Sequence, residues 1–253
     1  MIVMGKSLSL RFIDLYESLF HRKTYEITQA MRRFYGQFID AGDICFDVGA
    51  NMGNRTRIFR DLGARVVAVE PQDACMRQLR RTFGRDRDVT LVAKALGDSE
   101  GEAELMIGEE HTLSTLSPDW IERTRSSGRF TSHHWSETVT VPVTTLDLLM
   151  AEYGVPVFIK IDVEGFERAV LRGMTRPGPA VSFEFAAEFL DSTKECCEYL
   201  AALGDYRFNY SRQESMTFAL DTWVSAEEIM KAITAEPDTM VFGDVYGRVA
   251  TKP

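Results

Sequence analysis

The sequence is poor in cysteine and histidine, with four of each in 253 residues. Cys45, Cys75, Cys196 and Cys197 form no C-x-x-C pair, which argues against a thiolate metal centre. Cys45 in an apolar run and Cys75 in a helical one read as packing thiols of a reducing, cytoplasmic protein. Long uncharged apolar runs are also missing. Lys6, Arg11, Asp14 and Glu17 interrupt the N-terminal hydrophobic residues, so neither a spanning helix nor export is expected. Basic excess is absent: 38 acidic against 29 basic residues give a net charge of −9, which offers no sequence-wide attraction to nucleic acid or anionic lipid. Repeats and low-complexity segments are lacking. What is present is an ordinary globular composition, 45% apolar and 26% charged, in a chain long enough for one full core with an appendage.

Apolar residues at helical spacing (Leu8, Phe12, Leu15, Leu19, then Ile27, Met31, Phe34, Phe38) predict a helical extension over residues 1–40, broken near His21 to Thr24. Its apolar stripes must bury against something, so the extension could cover the cofactor, shape the acceptor pocket or make a dimer. From 41 to 253 short β-rich runs alternate with helical segments, the pattern of an α/β domain with a mostly parallel sheet. Strands are expected at 44–48, 65–70, 89–95, 156–161 and 180–185, with antiparallel ones at 206–210, 217–220 and 241–249. The pairs Thr144/Asp147, Ser192/Glu195 and Ser225/Glu228 have capping-box spacing. Residues 108–137 fit no element and lie between two alternating runs, 103–107 and 138–143, that suit a hairpin stem; they read as a substrate-side loop or lid.

Asp47-Val-Gly-Ala-Asn-Met-Gly53 follows the apolar run Ile44 to Phe46, and Glu70 closes the next apolar run. A strand, a glycine turn and a helix start present free backbone N–H groups to an anion, and a carboxylate about twenty residues on suits a ribose diol. A dinucleotide fingerprint needs a glycine where this chain has Asn51. A pyrophosphate therefore fits poorly, whereas the amino-acid end of S-adenosylmethionine finds N–H groups and the acid Asp47. A nicotinamide-dependent Rossmann oxidoreductase and a non-catalytic nucleoside-binding module are the rival readings. A third group, Lys160, Asp162 and Glu164 in Ile-Lys-Ile-Asp-Val-Glu-Gly165, puts charges at another strand edge, with Glu184 nearly level on the following strand. Lys160 and Asp162 could equally form a structural ion pair.

Taken together, D-V-G-A-N-M-G, V-E-P, Ala95-Leu-Gly-Asp98 with Gly101, V-T-T-L-D, I-K-I-D-V-E-G-F-E and the closing G-D-V-Y resemble the FkbM-type methyltransferases, in order from about residue 43 to 249. The resemblance implies a Rossmann-like class I fold, a seven-stranded sheet with one antiparallel strand and helices on both faces. It also implies transfer of the S-adenosylmethionine methyl group, usually to a hydroxyl of a small molecule, sugar or natural product. By motif, Asp47, Gly49, Asn51 and Gly53 would line the methionine moiety and Glu70 would hold the ribose. Ala95, Leu96 and Asp98 would lie against the adenine, and Asp162 would border the reaction centre. A hydroxyl acceptor must lose a proton, for which Asp162, Glu184, His133 and His134 are available, with Asp162 favoured and Lys160 beside it. A divalent metal on Asp162, Glu164 or Glu184 is the disfavoured alternative.

Overall fold

The computed structural model describes residues 22–238 and 240–250. The expected helical stripe between Leu8 and Leu19 lies outside them. The described chain forms helix α1 (Arg22–Tyr35), strand β1 (Ile44–Val48), α2 (Asn54–Asp61), β2 (Arg65–Val69), α3 (Asp73–Phe83), β3 (Val89–Val92), β4 (Ala95–Leu96) and β5 (Gly101–Gly108). There follow α4 (Pro118–Ser127), β6 (Trp135–Thr144), α5 (Leu146–Tyr153), β7 (Phe158–Ile161), α6 (Glu167–Arg172), β8 (Ala180–Ala186), α7 (Leu190–Leu203), β9 (Tyr206–Arg212), α8 (Ala226–Thr234) and β10 (Phe242–Val249).

Seven strands form one sheet in the order β3-β2-β1-β7-β8-β10-β9, parallel except for β10, which runs against both of its neighbours. This is the Rossmann-like class I arrangement. Alternation within the strands explains the two helical layers. Cys45, Val66 and Phe158 turn to α1, α2 and their neighbours, while Ala68 meets α3. Phe46, Val67, Ile159, Val181 and Phe183 pack into the opposite core with α5 to α8. Along the first face the sheet also carries polar side chains, Asp47, Lys160, Ser182 and Asp244, all buried. The chain leaves β1 outward to β2 and β3 and returns to β7 on its other side, which makes the β1/β7 edge a topological switch point.

Several expectations are corrected. The strand expected over 89–95 is split: β4 departs to a second sheet, β4-β6-β5. No strand forms at 217–220; that loop is tied to β9 by the bridge between Phe208 and Val224, by the Ala219 N–H donating to the Tyr210 carbonyl at 2.8 Å and by the Asn209 side chain, which bonds the Leu220 backbone. The cap of α5 is Thr145, accepting from the Leu148 N–H, not Thr144. Ser192 lies inside α7, whose first turn begins at Leu190. The Ser225/Glu228 capping box forms in full. The hairpin stem is longer than read, with β5 and β6 paired from Gly101/Val143 to Gly108/Trp135. The segment between them is ordered: a 3-10 turn at His111–Leu113 and then α4, started by Ser117 and Pro118 and stopped by Gly128 at φ 89°.

Candidate active site

Three strands deliver their last residues to one edge. Val48 stands against Val69 on one side and Ile161 on the other, so Gly49, Glu70 and Asp162 emerge side by side. The Gly49 and Ala50 N–H groups both donate to the Val69 carbonyl at 3.0 Å, and the Asp162 N–H donates to that of Val48 at 3.0 Å. Gly49 has φ 78°, and a Cβ there would sit 1.8 Å from the Asp162 carbonyl oxygen. Glycine is therefore demanded by the close approach of the chain leaving β7.

Glu70 is 2% exposed. One of its oxygens accepts from the Asn51 N–H and the other from the Gln72 N–H, both at 2.8 Å. Burial pushes this acid up to about 7, with the two N–H groups pulling the other way. Each oxygen retains capacity for a further donor.

An open cleft of about 720 Å³ runs along this edge. Gly49, Asn51, Glu70, Ala95, Leu96 and Asp162 line it. Three other residues assigned to the cofactor do not. Asp47 is buried beneath the turn, accepts from the Thr56 hydroxyl of α2 and is raised by burial. Gly53, φ 86°, starts α2 where a Cβ would strike Phe83 and Leu79. Asp98 is exposed and bonded to the Ser99 hydroxyl. Asp47 and Gly53 shape the turn from beneath, and Asp98 lies outside the cleft lining.

The segment between β5 and β6, expected as a substrate-side loop or lid, roofs the cleft and lines it with residues between His111 and Leu116; the contacts that hold it there were not read from the sequence. Gln72, two residues past Glu70, donates from Nε2 to the His111 carbonyl at 2.9 Å and accepts at Oε1 from the Ser114 hydroxyl at 3.0 Å. At the other end the Thr115 hydroxyl donates to the Glu164 carbonyl at 2.6 Å. Trp120 covers Gly165 so closely that a Cβ there would lie 2.5 Å from its ring. His133 and His134 do not line the cleft, whereas His111 does. His133 lies 3.6 Å from Glu110.

After β7 the chain turns through Glu164 (φ 53°) and Gly165 (φ 88°). The Glu167 carboxylate clamps this turn, accepting from the Val163 N–H at 3.3 Å and the Gly165 N–H at 3.2 Å. The turn brings Asp162, Glu164 and Glu184 together, one oxygen from each lying within 4.8 Å of the others. Strand alternation alone could not supply this grouping, because β7 ends at Ile161. Burial and then Glu184 push Glu164 well up, and burial and then Asp162 do the same to Glu184. The three carboxylates are the residues that could hold a cation. Lys160 is 1% exposed and donates to Asp244 at 3.0 Å, with Asp162 at 3.2 Å on its other side. Burial alone would lower this ammonium; Asp162 and Asp244 outweigh it and hold it well above its usual range. Asp244, from the Gly-Asp-Val-Tyr run, also accepts from the Tyr246 hydroxyl at 3.2 Å.

The profile described as "Methyltransferase FkbM domain" matches residues 47–223, which span the turn, Glu70, the roof and the carboxylate group. The chain belongs to the FkbM methyltransferase family. It is therefore an S-adenosylmethionine-dependent methyltransferase. No curated protein sequence matches this FkbM-family chain. Among solved structures it is similar to the precorrin-6y C5,15-methyltransferase of Geobacter metallireducens, with 11% identity, a TM-score of 0.46 and 88% of each chain covered. It is similar too to a TehB-like SAM-dependent methyltransferase of Corynebacterium glutamicum, with 10% identity, a TM-score of 0.44 and coverage of 92% of this chain and 97% of that one. A putative methyltransferase from Streptococcus mutans in complex with SAH shares 10% identity at a TM-score of 0.39, over 86% of this chain and 95% of that one. In the described residues no helix is long and apolar enough to cross a membrane.

Proposed function

We propose that this enzyme methylates a hydroxyl oxygen of a small molecule, with Glu70 holding the cofactor ribose and Asp162 receiving the acceptor's proton. The observation that carries the reading is the row Gly49, Glu70 and Asp162 at one sheet edge, with the two Glu70 oxygens already aligned by backbone N–H groups. The donor set suits the cofactor: an acid for a diol, exposed turn backbone beside Asn51, and the apolar Ala95 and Leu96 for a base. The cofactor supplies a methyl group activated by its sulfonium.

The protein's tasks are alignment, water exclusion and proton removal. The roof supplies exclusion through its bonds to Gln72 and Glu164. Asp162 is the base because it lines the cofactor cleft and also a second cavity. Lys160 fixes it as a positioning residue. Glu184 lies in that second cavity and not in the cleft, so it contacts the acceptor side. The test is calorimetry with S-adenosylhomocysteine and with NAD(P). Binding of the former alone is expected. Binding of NAD(P) alone would establish a reductase, and cofactor binding without methyl transfer to any acceptor, in a screen with labelled S-adenosylmethionine, would establish a binding module.

A further inference from the structure

A second, smaller cavity adjoins the carboxylate group and shares Asp162 with the cofactor cleft. Counting the open space at its mouth, its volume is about 270 Å³, well under half of the about 720 Å³ of the cofactor cleft. Only Phe242 and Gly243 lack polar side chains in its wall; the others are Arg55, Lys160, Asp162, Glu184, Gln213, Glu214 and Asp244. An apolar polyketide surface finds little to bury against here, whereas a single hydroxylated ring finds acceptors on several sides.

The charges in the wall do not cancel. Lys160 is committed to Asp244 and Asp162, and one terminal nitrogen of Arg55 to Glu214 at 2.8 Å, while the buried Arg55 Nε has no acceptor and suits a ring hydroxyl. Glu184 is left with no hydrogen bond or ion pair among the described residues, although it is partly buried. A buried carboxylate without a partner is costly, and an arriving cation removes that cost.

Resting on the methyltransferase reading, we propose that this cavity is the acceptor subsite and takes a small polyhydroxylated ring bearing an ammonium, which pairs with Glu184. The ammonium keeps its proton beside the carboxylates and so has no lone pair for the methyl group. A neighbouring hydroxyl, deprotonated by Asp162, is left as the nucleophile. Its oxygen forms the new bond to the methyl carbon as the carbon–sulfur bond of the sulfonium breaks.

The test is calorimetry on the protein saturated with S-adenosylhomocysteine, using the methyl glycosides of glucosamine, N-acetylglucosamine and glucuronic acid. The glucosaminide is expected to bind at least tenfold tighter than its acetylated counterpart, and the glucuronide weakest. Glu184→Gln should bring the amine preference to about one while leaving S-adenosylhomocysteine affinity intact, since Glu184 does not line the cleft. If that variant does not fold, Glu184→Asp, which keeps the charge but draws it back by one methylene, should reduce the preference severalfold. Equal affinities, a preferred glucuronide, no glucosaminide binding, or a preference that survives these variants would overturn the proposal while cofactor binding still supports the methyltransferase. Failure to bind S-adenosylhomocysteine at all would overturn both.

Discussion

Gly49 and Glu70 show how much single residues carry. Gly49→Ala places a methyl group against a backbone oxygen at a positive φ, so the turn and the chain leaving β7 must separate. The expected loss is about 1–3 kcal/mol or more of stability by denaturant titration, with cofactor binding abolished. For Glu70, charge-assisted hydrogen bonds of about 1.5 kcal/mol each to a diol predict about 100-fold weaker S-adenosylhomocysteine binding in Glu70→Ala. The acid is raised to about 7 by burial, and a hydroxyl-donating ligand favours its ionised form. Affinity should then be flat above pH 7 and fall as pH drops below it, and the pH trend should vanish in Glu70→Gln; a wild-type affinity that rises on acidification would contradict the assignment. Both residues were legible in the sequence, because a glycine turn and a strand-ending acid are local signals. Asp47 and Gly53 belong to the same motif, yet they support the turn from beneath. A motif's letters do not distinguish a ligand contact from the packing that shapes the loop.

At the scale of elements, the segment between β5 and β6 is the largest departure from expectation. Ser117-Pro118 at its helix start and Gly128 at its end are ordinary start and stop signals, hidden by a polar helix with a short apolar stripe. Its contacts to Gln72 and Glu164 join residues 42 and 49 positions apart, and no local pattern encodes them. Trp120 is 5% exposed and packs on Phe130 and Trp135 with centroids at 5.5 and 6.0 Å. Trp120→Ala should cost about 3–5 kcal/mol, taken mainly from this segment. Hydrogen exchange over residues 109–134 should accelerate more than in β1 or β7, and S-adenosylhomocysteine should dissociate faster. Uniform acceleration across the sheet would instead make Trp120 part of the global core.

For the whole molecule, Glu70 and Glu167 are each raised from 4.5 to about 7, chiefly by burial. Such groups bind protons more tightly folded than unfolded. The stability they contribute is complete below about pH 4.5 and is lost as pH rises through about 7. Ligand-free protein should therefore melt at progressively lower temperature from pH 5 to pH 8, and Glu167→Gln should flatten that slope. A wild-type slope no steeper than the variant's would show that Glu167 does not titrate in this window. The mostly parallel sheet was legible in the alternation of short β-rich runs with helical segments, whereas its strand order was not, because no local pattern says which strands become neighbours. Nor was the second sheet, because β4 is only two residues long.

The line of buried polar side chains across the first face, Asp47, Lys160, Ser182 and Asp244, bears on how the strands find one another. Their flanking residues Phe46, Val48, Ile159, Ile161, Val181, Phe183 and Val245 belong to the opposite apolar core. A one-residue slip of β7 against β1 would send Lys160 among those hydrocarbons and bring isoleucines to Asp47 and Asp244. The charges needed for chemistry thereby act as a proofreading device in assembly, penalising mispaired sheets that a uniformly aliphatic set of strands would tolerate.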